Sequence, residues 1–319
     1  MKITSIGIYI YIIMQLFMLD LFSQNLNNND SLLYTDSVIY YSKLIDSLKN
    51  DKEIYYSRAN AYFKLKDYNR ALFDYNKVLE IDSGYTEAYK TRGIINALII
   101  KYDLAIKDFN KVIELNQADS GAYYNIGNVY YSLRKYDDAI KNYTKAIEIN
   151  PDYTDAYLWR GIAHNDAGSY SKAIADYNKV LEINPDYYNA YIEMGITYET
   201  QKKNDKALEC YDKAEKIDST DFLIFFNRGH LNARTEKLDD AIKDFNKAIQ
   251  IKPQFCPAYY ERGLAYLLKC RTVSAKGLIV YTDTDLQNKG ISDLMKVSEI
   301  CPKRKIEIEQ LIKEIKSGK

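Results

Sequence analysis

The sequence predicts an all-α chain, an α-solenoid made by stacking helix hairpins, and three observations point to it. A 34-residue period runs through most of the 319 residues. Inside each period apolar residues fall at helical spacing twice, on either side of a short polar turn. A helix-stopping segment then recurs once per period. Self-similarity of this length marks supersecondary units that cannot bury their apolar faces alone and must stack on their neighbours.

The period is read first from its aromatics, Tyr55, Tyr89, Tyr123, Tyr157, Tyr191, Phe225 and Tyr259. Four residues on stands a small partner: Ala59, Gly93, Gly127, Gly161, Gly195, Gly229 and Gly263. Ala71, Ala105, Ala139, Ala173, Ala207 and Ala241 follow at fixed distance, with Gly290 displaced by an insertion. In the clearest unit, Tyr123, Ile126, Gly127 and Tyr130 lie at i, i+3, i+4 and i+7, one face of a helix. Ala139, Tyr143 and Ala146 repeat that pattern on a second helix, after the turn Leu133-Arg134-Lys135. Pro151 stops the second helix, because it has no N–H and restricts the residue before it. The small residues let two helix backbones approach, and the aromatics fill the space beside them.

These aromatic, Gly, Tyr, Ala and Pro positions resemble the tetratricopeptide repeat (TPR) family. The resemblance covers seven units: 52–85, 86–119, 120–153, 154–187, 188–221, 222–255 and 256–302. Ser83, Gln117 and Ser219 depart from it where the family usually has Pro. The resemblance implies a right-handed superhelix whose concave wall is lined by the first helix of each unit and binds peptides or protein segments. A subset of the family clamps chaperone C-termini with several basic groove residues; here only Lys90 is clear, so that ligand is not expected.

Two positions within the period vary together. The seventh reads Arg58, Arg92, Ile126, Arg160, Met194, Arg228, Arg262; the twenty-third reads Asp74, Asp108, Asn142, Asp176, Cys210, Asp244, Asp293. Arg occurs only where Asp occurs. We expect a bidentate Arg–Asp bridge between the two helices of a unit, since the guanidinium fork matches a carboxylate. The eleventh position alternates between Tyr and Asn96, His164 or Asn232, which suggests growth by copying a two-unit block. His164 reads as a packed polar residue.

Lys plus Arg and Asp plus Glu are 44 each, interspersed along the helices, and no basic stripe of a nucleic-acid binder appears. Residues 1–23 differ from the rest: Lys2, a nearly uninterrupted apolar stretch from Ile3 to Met18, then Ser23 before Gln24. This is the pattern of a secretory signal cleaved at Ser23/Gln24, the alternative being a retained anchor. With cleavage no membrane insertion is expected. Either way the repeats are exported, whether periplasmic, envelope-associated or secreted. Export makes the four cysteines worth pairing. Cys256 opens the first helix of the last unit and Cys301 closes its second, so the two can bridge. Cys210 reads as buried and inert, and no Cys/His spacing suggests a metal.

Residues 24–51 read as a polar spacer and a capping helix, with Val38, Tyr41, Leu44, Ile45 and Leu48 on one face. Residues 303–319 read as a second cap, with Ile308, Leu311, Ile312 and Ile315 in a stripe. An inserted loop is expected at about 271–286.

A partner groove is expected from positions five, nine and twelve of the first helices. The first three units offer Tyr56, Asn60, Lys90, Ile94, Tyr124, Asn128 and Tyr131. The later units offer Leu158, Ile162, Ile192, Ile196, Phe226, His230 and Tyr260. Of these, Tyr124, Asn128, Leu158 and Ile162 are expected to stay partly exposed, because the core has its own aromatics, and Asn60 and Asn128 are expected to bond a docked backbone. No triad, phosphate loop or metal set appears, so neither an enzyme nor a cofactor is expected. The leading expectation is an exported scaffold that binds a protein segment in this groove. The alternative is an assembly or anchoring subunit of an envelope complex, acting through the convex face or the 271–286 loop.

Overall fold

The computed structural model describes residues 28–273 and 279–317. The expected signal segment, 1–23, lies outside them. The described chain is all-α apart from one small hairpin. Helix α1 (Asn28–Ser47) leads into the pairs α2 (Lys52–Lys64) and α3 (Tyr68–Ile81), then α4 (Thr86–Leu98) and α5 (Tyr102–Leu115), followed in sequence by α6 (Ser120–Ser132) and α7 (Tyr136–Ile149). The pairs continue as α8 (Thr154–Asp166) and α9 (Tyr170–Ile183), α10 (Tyr188–Thr200) and α11 (Asn204–Ile217), α12 (Phe222–Arg234) and α13 (Leu238–Ile251). Then come α14 (Cys256–Cys270), strands β1 (Arg271–Val273) and β2 (Ile279–Tyr281), α15 (Thr284–Ile300) and α16 (Lys305–Ser317). No described helix is long and apolar enough to cross a membrane. The chain forms two compact units, one up to Leu133 and one from Arg134.

The turn after the first helix is the same in the first six repeats. Its second residue has a left-handed backbone: Lys66, Ile100, Arg134, Lys202 and Glu236 at φ of 58–64°, and Gly168 at 76°. Only Gly168 is a residue suited to that conformation. Ile100 pays most, being β-branched and 70% exposed. The turn between repeats is carried by a side chain. Asp82, Asn116, Asn150, Asn184 and Asp218 each accept a hydrogen bond from the N–H two residues on. Such Asx turns explain why Ser83, Gln117 and Ser219 can stand where proline was expected.

Close approach of the paired helices is real. A Cβ on Gly161 would sit 2.5 Å from the Tyr177 ring, and one on Gly195 2.6 Å from the Tyr211 ring. Both rings are fully buried. The Arg and Asp positions meet in all five units that carry them. Arg160 donates to Asp176 through Nε at 2.9 Å and Nη2 at 2.7 Å. Arg58–Asp74, Arg92–Asp108, Arg228–Asp244 and Arg262–Asp293 have the same two-pronged geometry. The asparagines of the alternating position brace it: Asn96 and Asn232 donate to Asp108 and Asp244 at 3.1 and 3.2 Å.

The arginine has a third arm that the period had not suggested. Its Nη1 reaches back sixteen residues to the second helix of the preceding repeat: Arg92 to Asn76, Arg160 to Thr144, Arg228 to Asp212, Arg262 to Asn246. Arg58 does the same to Ser42 of α1 at 3.1 Å. Helix α1 therefore stands where a second helix would, and Val38 packs on the first core. Leu48, expected on its packed face, falls in the turn beyond Ser47 and is 51% exposed.

At the other end α16 buries Ile308 and Ile315 against Leu294 and Val297 of α15. A disulfide joins Cys256 to Cys301, with Cα atoms 6.4 Å apart. Cys210 and Cys270 are free and buried, and burial pushes the Cys210 thiol up to about 11. The insertion is shorter than expected and not wholly a loop. Strands β1 and β2 pair antiparallel, Arg271 opposite Tyr281, and α15 begins at Thr284 under the Asp283 cap, inside the span expected for the loop.

Candidate functional site on the inner face

In the second unit each first helix touches the next: α8 meets α10, α10 meets α12, and α12 meets α14. Successive second helices do not approach as closely. A stack whose first helices crowd while its second helices spread bends with the first helices inside. Their free faces form the inner wall.

The residues expected to line a groove divide into three groups. Leu158, Ile162, Ile192 and Phe226 are 4–5% exposed and belong to the core, which corrects their placement in the groove and the expectation that Leu158 and Ile162 stay partly exposed. Leu158, Ile192 and Phe226 stand at position five of helices that each touch the next first helix, and Ile162 stands at position nine of α8. A second group is half-buried but already engaged. Tyr56 packs against Tyr85 and Tyr75, with ring centroids 4.9 and 5.9 Å away. The Asn60 carbonyl accepts a 2.6 Å hydrogen bond from Tyr75, so it holds its own hairpin rather than waiting for a docked backbone. Lys90 is paired with Asp119 at 2.7 Å and Glu87 at 2.9 Å, and Ile94 packs on the second core. Tyr124, Asn128 and Tyr131 are half-buried on α6. The third group, Ile196, His230 and Tyr260, remains half-exposed on the inner wall of the second unit.

Around that third group the structure gathers polar residues. Glu199, at position twelve of its unit and one turn beyond Ile196, is the most engaged. Its carboxylate pairs with Arg234, lies 3.6 Å from His230 Nδ1, and accepts from the Tyr211 hydroxyl at 3.3 Å. Burial works against a charge on His230, but Glu199 and Glu261 outweigh it and hold the imidazole above its ordinary value. Glu261 on α14 is raised by burial, with His230 and Arg304 acting in the opposite direction. Arg304 itself lies over the Tyr260 ring, 4.2 Å from its centroid.

Glu193, three residues before Ile196, differs from all of these. It makes no hydrogen bond or ion pair with any described residue. The charge that acts on it is Asp166, of like sign, and burial together with that repulsion pushes its carboxyl up to about 8. The buried Tyr177 feels its charge, and Tyr177 Oη, Thr197 Oγ1 and Asn165 Oδ1 lack a well-aligned hydrogen bond. The Tyr177 and Thr197 hydroxyls are neighbours without the alignment of a hydrogen bond, and Tyr177 feels the charges of both Glu193 and Asp166. His164 is half-buried with an unpartnered Nδ1, and burial lowers its pKa. Glu193 and Glu261 occupy the sixth position of their units, where Ser57, Thr91, Asn125, Trp159 and Asn227 stand elsewhere. That run, polar except at Trp159, was the signal available in the sequence. Among the described residues no cluster of His, Cys, Asp and Glu could hold a metal ion.

Tetratricopeptide repeat models match residues 53–85, 120–153 and 154–187, and another matches 176–209. A TPR repeat model matches 101–134 and 234–269. Together these cover more than half of the chain. Comparison with the curated proteins finds no match. Among solved structures, yeast Tom70 shares 16% identity at a TM-score of 0.66, over 90% of this chain and 60% of that one. A tetratricopeptide repeat protein from Parabacteroides merdae ATCC 43184 shares 16% at 0.62, over 86% of this chain and 98% of that one. YrrB, described as a TPR protein with an unusual peptide-binding site, shares 28% at 0.47, over 58% of this chain and 95% of that one. The period, the hairpin geometry and the matched repeats agree that this chain belongs to the tetratricopeptide repeat family.

Proposed function

We propose that the chain is an exported protein–protein interaction scaffold that seats a peptide or protein segment along the inner face of its first helices. One observation carries this reading. The inner wall of the second unit keeps Ile196, His230 and Tyr260 half-exposed, and on α8 the half-buried His164 and Asn165 each hold a polar atom without a hydrogen-bond partner. Buried polar groups are normally hydrogen-bonded, so orphaned ones on an open wall favour an absent partner over internal packing. The Cys256–Cys301 bridge supports export, because disulfides persist in oxidising compartments. The apolar stretch from Ile3 to Met18 supports it independently. The scaffold reading assigns no catalysis.

A second reading, an assembly or anchoring subunit, draws on apolar side chains away from the inner face. Phe73 and Leu104 on second helices are 59% and 50% exposed, and Val280 of the small hairpin 43%. Selection of displayed peptides on the immobilised chain, counter-selected on Ile196→Asp, separates the two. Peptides that bind the native chain and not the variant support the groove. Peptides insensitive to Ile196→Asp but lost with Val280→Asp or Phe73→Asp support the other surface.

A further inference from the structure

We propose that the chain pairs with a second copy of itself through α1, the two helices lying antiparallel across a two-fold axis near Tyr40. This goes beyond the inner-face reading and does not depend on it.

Helix α1 carries a face that the other second helices keep covered. Ser42 receives the third arm of Arg58 as Asn76 receives that of Arg92, which sets α1 in register with α3. Ser37, Tyr40, Tyr41 and Leu44 then match Ala71, Asp74, Tyr75 and Val78. In α3 those four are 0% exposed, because the first helix of the same repeat lies over them. Among the described residues no helix precedes α1 to do the same. Ser37, Tyr41 and Leu44 are left half-buried, and Tyr40 is 60% exposed. Leu32, Leu33 and Ile39 beside it are exposed as well, a contiguous apolar patch rather than scattered single residues.

The charges on this face select the occupant. Leu33, Asp36, Tyr40 and Lys43 follow at i, i+3, i+7 and i+10, one stripe of a helix. Asp36 and Lys43 are exposed, and they lie about 10 Å apart along the helix axis, too far to pair with each other. Neither enters an ion pair with another described residue. Tyr40 stands close to their midpoint. Reversing a copy of α1 about that point sets Asp36 of each copy beside Lys43 of the other and brings the two Tyr40 rings together. A two-fold contact uses the same surface on both copies, so it requires self-complementarity of this kind. The two helices of a hairpin run antiparallel, and so does a helix with its two-fold copy. The second α1 can therefore take the place that a first helix takes in the repeats. The chain before α1 fits less well: its charged residues are Lys2 and Asp20, eighteen positions apart against seven for Asp36 and Lys43.

Sedimentation velocity of the exported chain tests this. The chain is expected to pass from monomer to dimer across the micromolar range, in keeping with a small interface. Asp36→Lys and Lys43→Asp each bring like charges together twice and should weaken the dimer at least about tenfold. The double variant, Asp36→Lys with Lys43→Asp, restores opposite charges in the same register and should recover most of that loss, which a merely structural role for either residue would not give. Tyr40→Asp should leave a monomer. All three positions are exposed, so circular dichroism should be unchanged throughout. A chain that stays monomeric across the range overturns the proposal. So does a dimer indifferent to the charge reversals, or one lost instead with Phe73→Asp or Val280→Asp. Protection of α1 from amide exchange that is independent of concentration assigns the face to the chain's own residues before Asn28 and overturns the second copy. Displayed peptides that bind the monomer and are lost with Tyr40→Asp assign the face to another protein and do the same.

Discussion

Replacing Arg160 by isoleucine removes three hydrogen bonds at once: two to Asp176, at 2.9 and 2.7 Å, and one to Thr144 of the preceding repeat, at 3.1 Å. Asp176 is 6% exposed and would be left charged and unpaired. Breaking a buried pair from one side costs about 3–5 kcal/mol. Because the Arg160 side chain is itself 18% exposed, water can reach part of the vacated space and the lower end, about 3 kcal/mol, applies. Asp176→Asn alone leaves a guanidinium that keeps Thr144 and some solvent, for a loss of about 1–2 kcal/mol. The double variant Arg160→Ile with Asp176→Asn reproduces Ile126 and Asn142, which the third repeat already carries. It removes the isolated charge, and an ion pair replaced on both sides is often close to neutral. The double loss should therefore be about 1–2 kcal/mol, a coupling of about 3 kcal/mol at the upper end for contacting residues. A single melting temperature is ill-suited to a repeat array, whose cooperativity can break down. Amide hydrogen exchange resolved to α8 and α9 reads the local free energy instead. Additivity within about 0.5 kcal/mol would refute the pairing as an energetic unit.

Ile100→Gly should stabilise the chain by about 1 kcal/mol, because isoleucine pays for its left-handed backbone and glycine does not; an unchanged or lower denaturation midpoint would contradict this. Gly195→Ala should cost about 1–3 kcal/mol, as its Cβ meets the buried Tyr211 ring. Exchange confined to α10 and α11 would locate that loss. Serine at both Cys256 and Cys301 should cost about 2–4 kcal/mol and loosen α14 to α16 first, seen as early proteolysis there. Glu193 makes a prediction about pH with a definite sign. Its folded pKa is raised from 4.5 to about 8, so the folded state holds the extra proton and stability falls as pH rises between those values. Glu193→Gln should therefore become the more stable form, relative to the native chain, from pH 5 towards pH 8, and a difference independent of pH would rule this out.

The hairpins and the Arg–Asp pairs were legible because the chain supplies its own alignment. Where arginine gave way to Ile126 or Met194, aspartate gave way to Asn142 or Cys210. The third arm of each arginine was equally available, since Ser42, Asn76, Thr144, Asp212 and Asn246 all stand sixteen residues earlier, but a spacing that crosses repeats has no meaning until the stacking is known. The inner wall was only partly legible. Periodicity tells which residues share a helical face, not how tightly the next helix covers it. Leu158, Ile162, Ile192 and Phe226 therefore went to the core, while Ile196, His230 and Tyr260 stayed half-open. Glu193 was overlooked because a glutamate in a helix ordinarily reads as a solvated residue. The hairpin of β1 and β2 is three residues a side, too short to leave a strand pattern.

The central claim is that a segment lies along the first helices, and the footprint of a selected peptide tests it most directly. Amide exchange of the full chain with and without that peptide should show protection concentrated in α8, α10, α12 and α14. Crosslinks from a photoreactive residue at position 196 should reach the peptide, and crosslinks from position 73 or 280 should not. Protection confined to second helices or to the hairpin at 279–281, with no crosslink from 196, would place the partner on another surface and contradict the account.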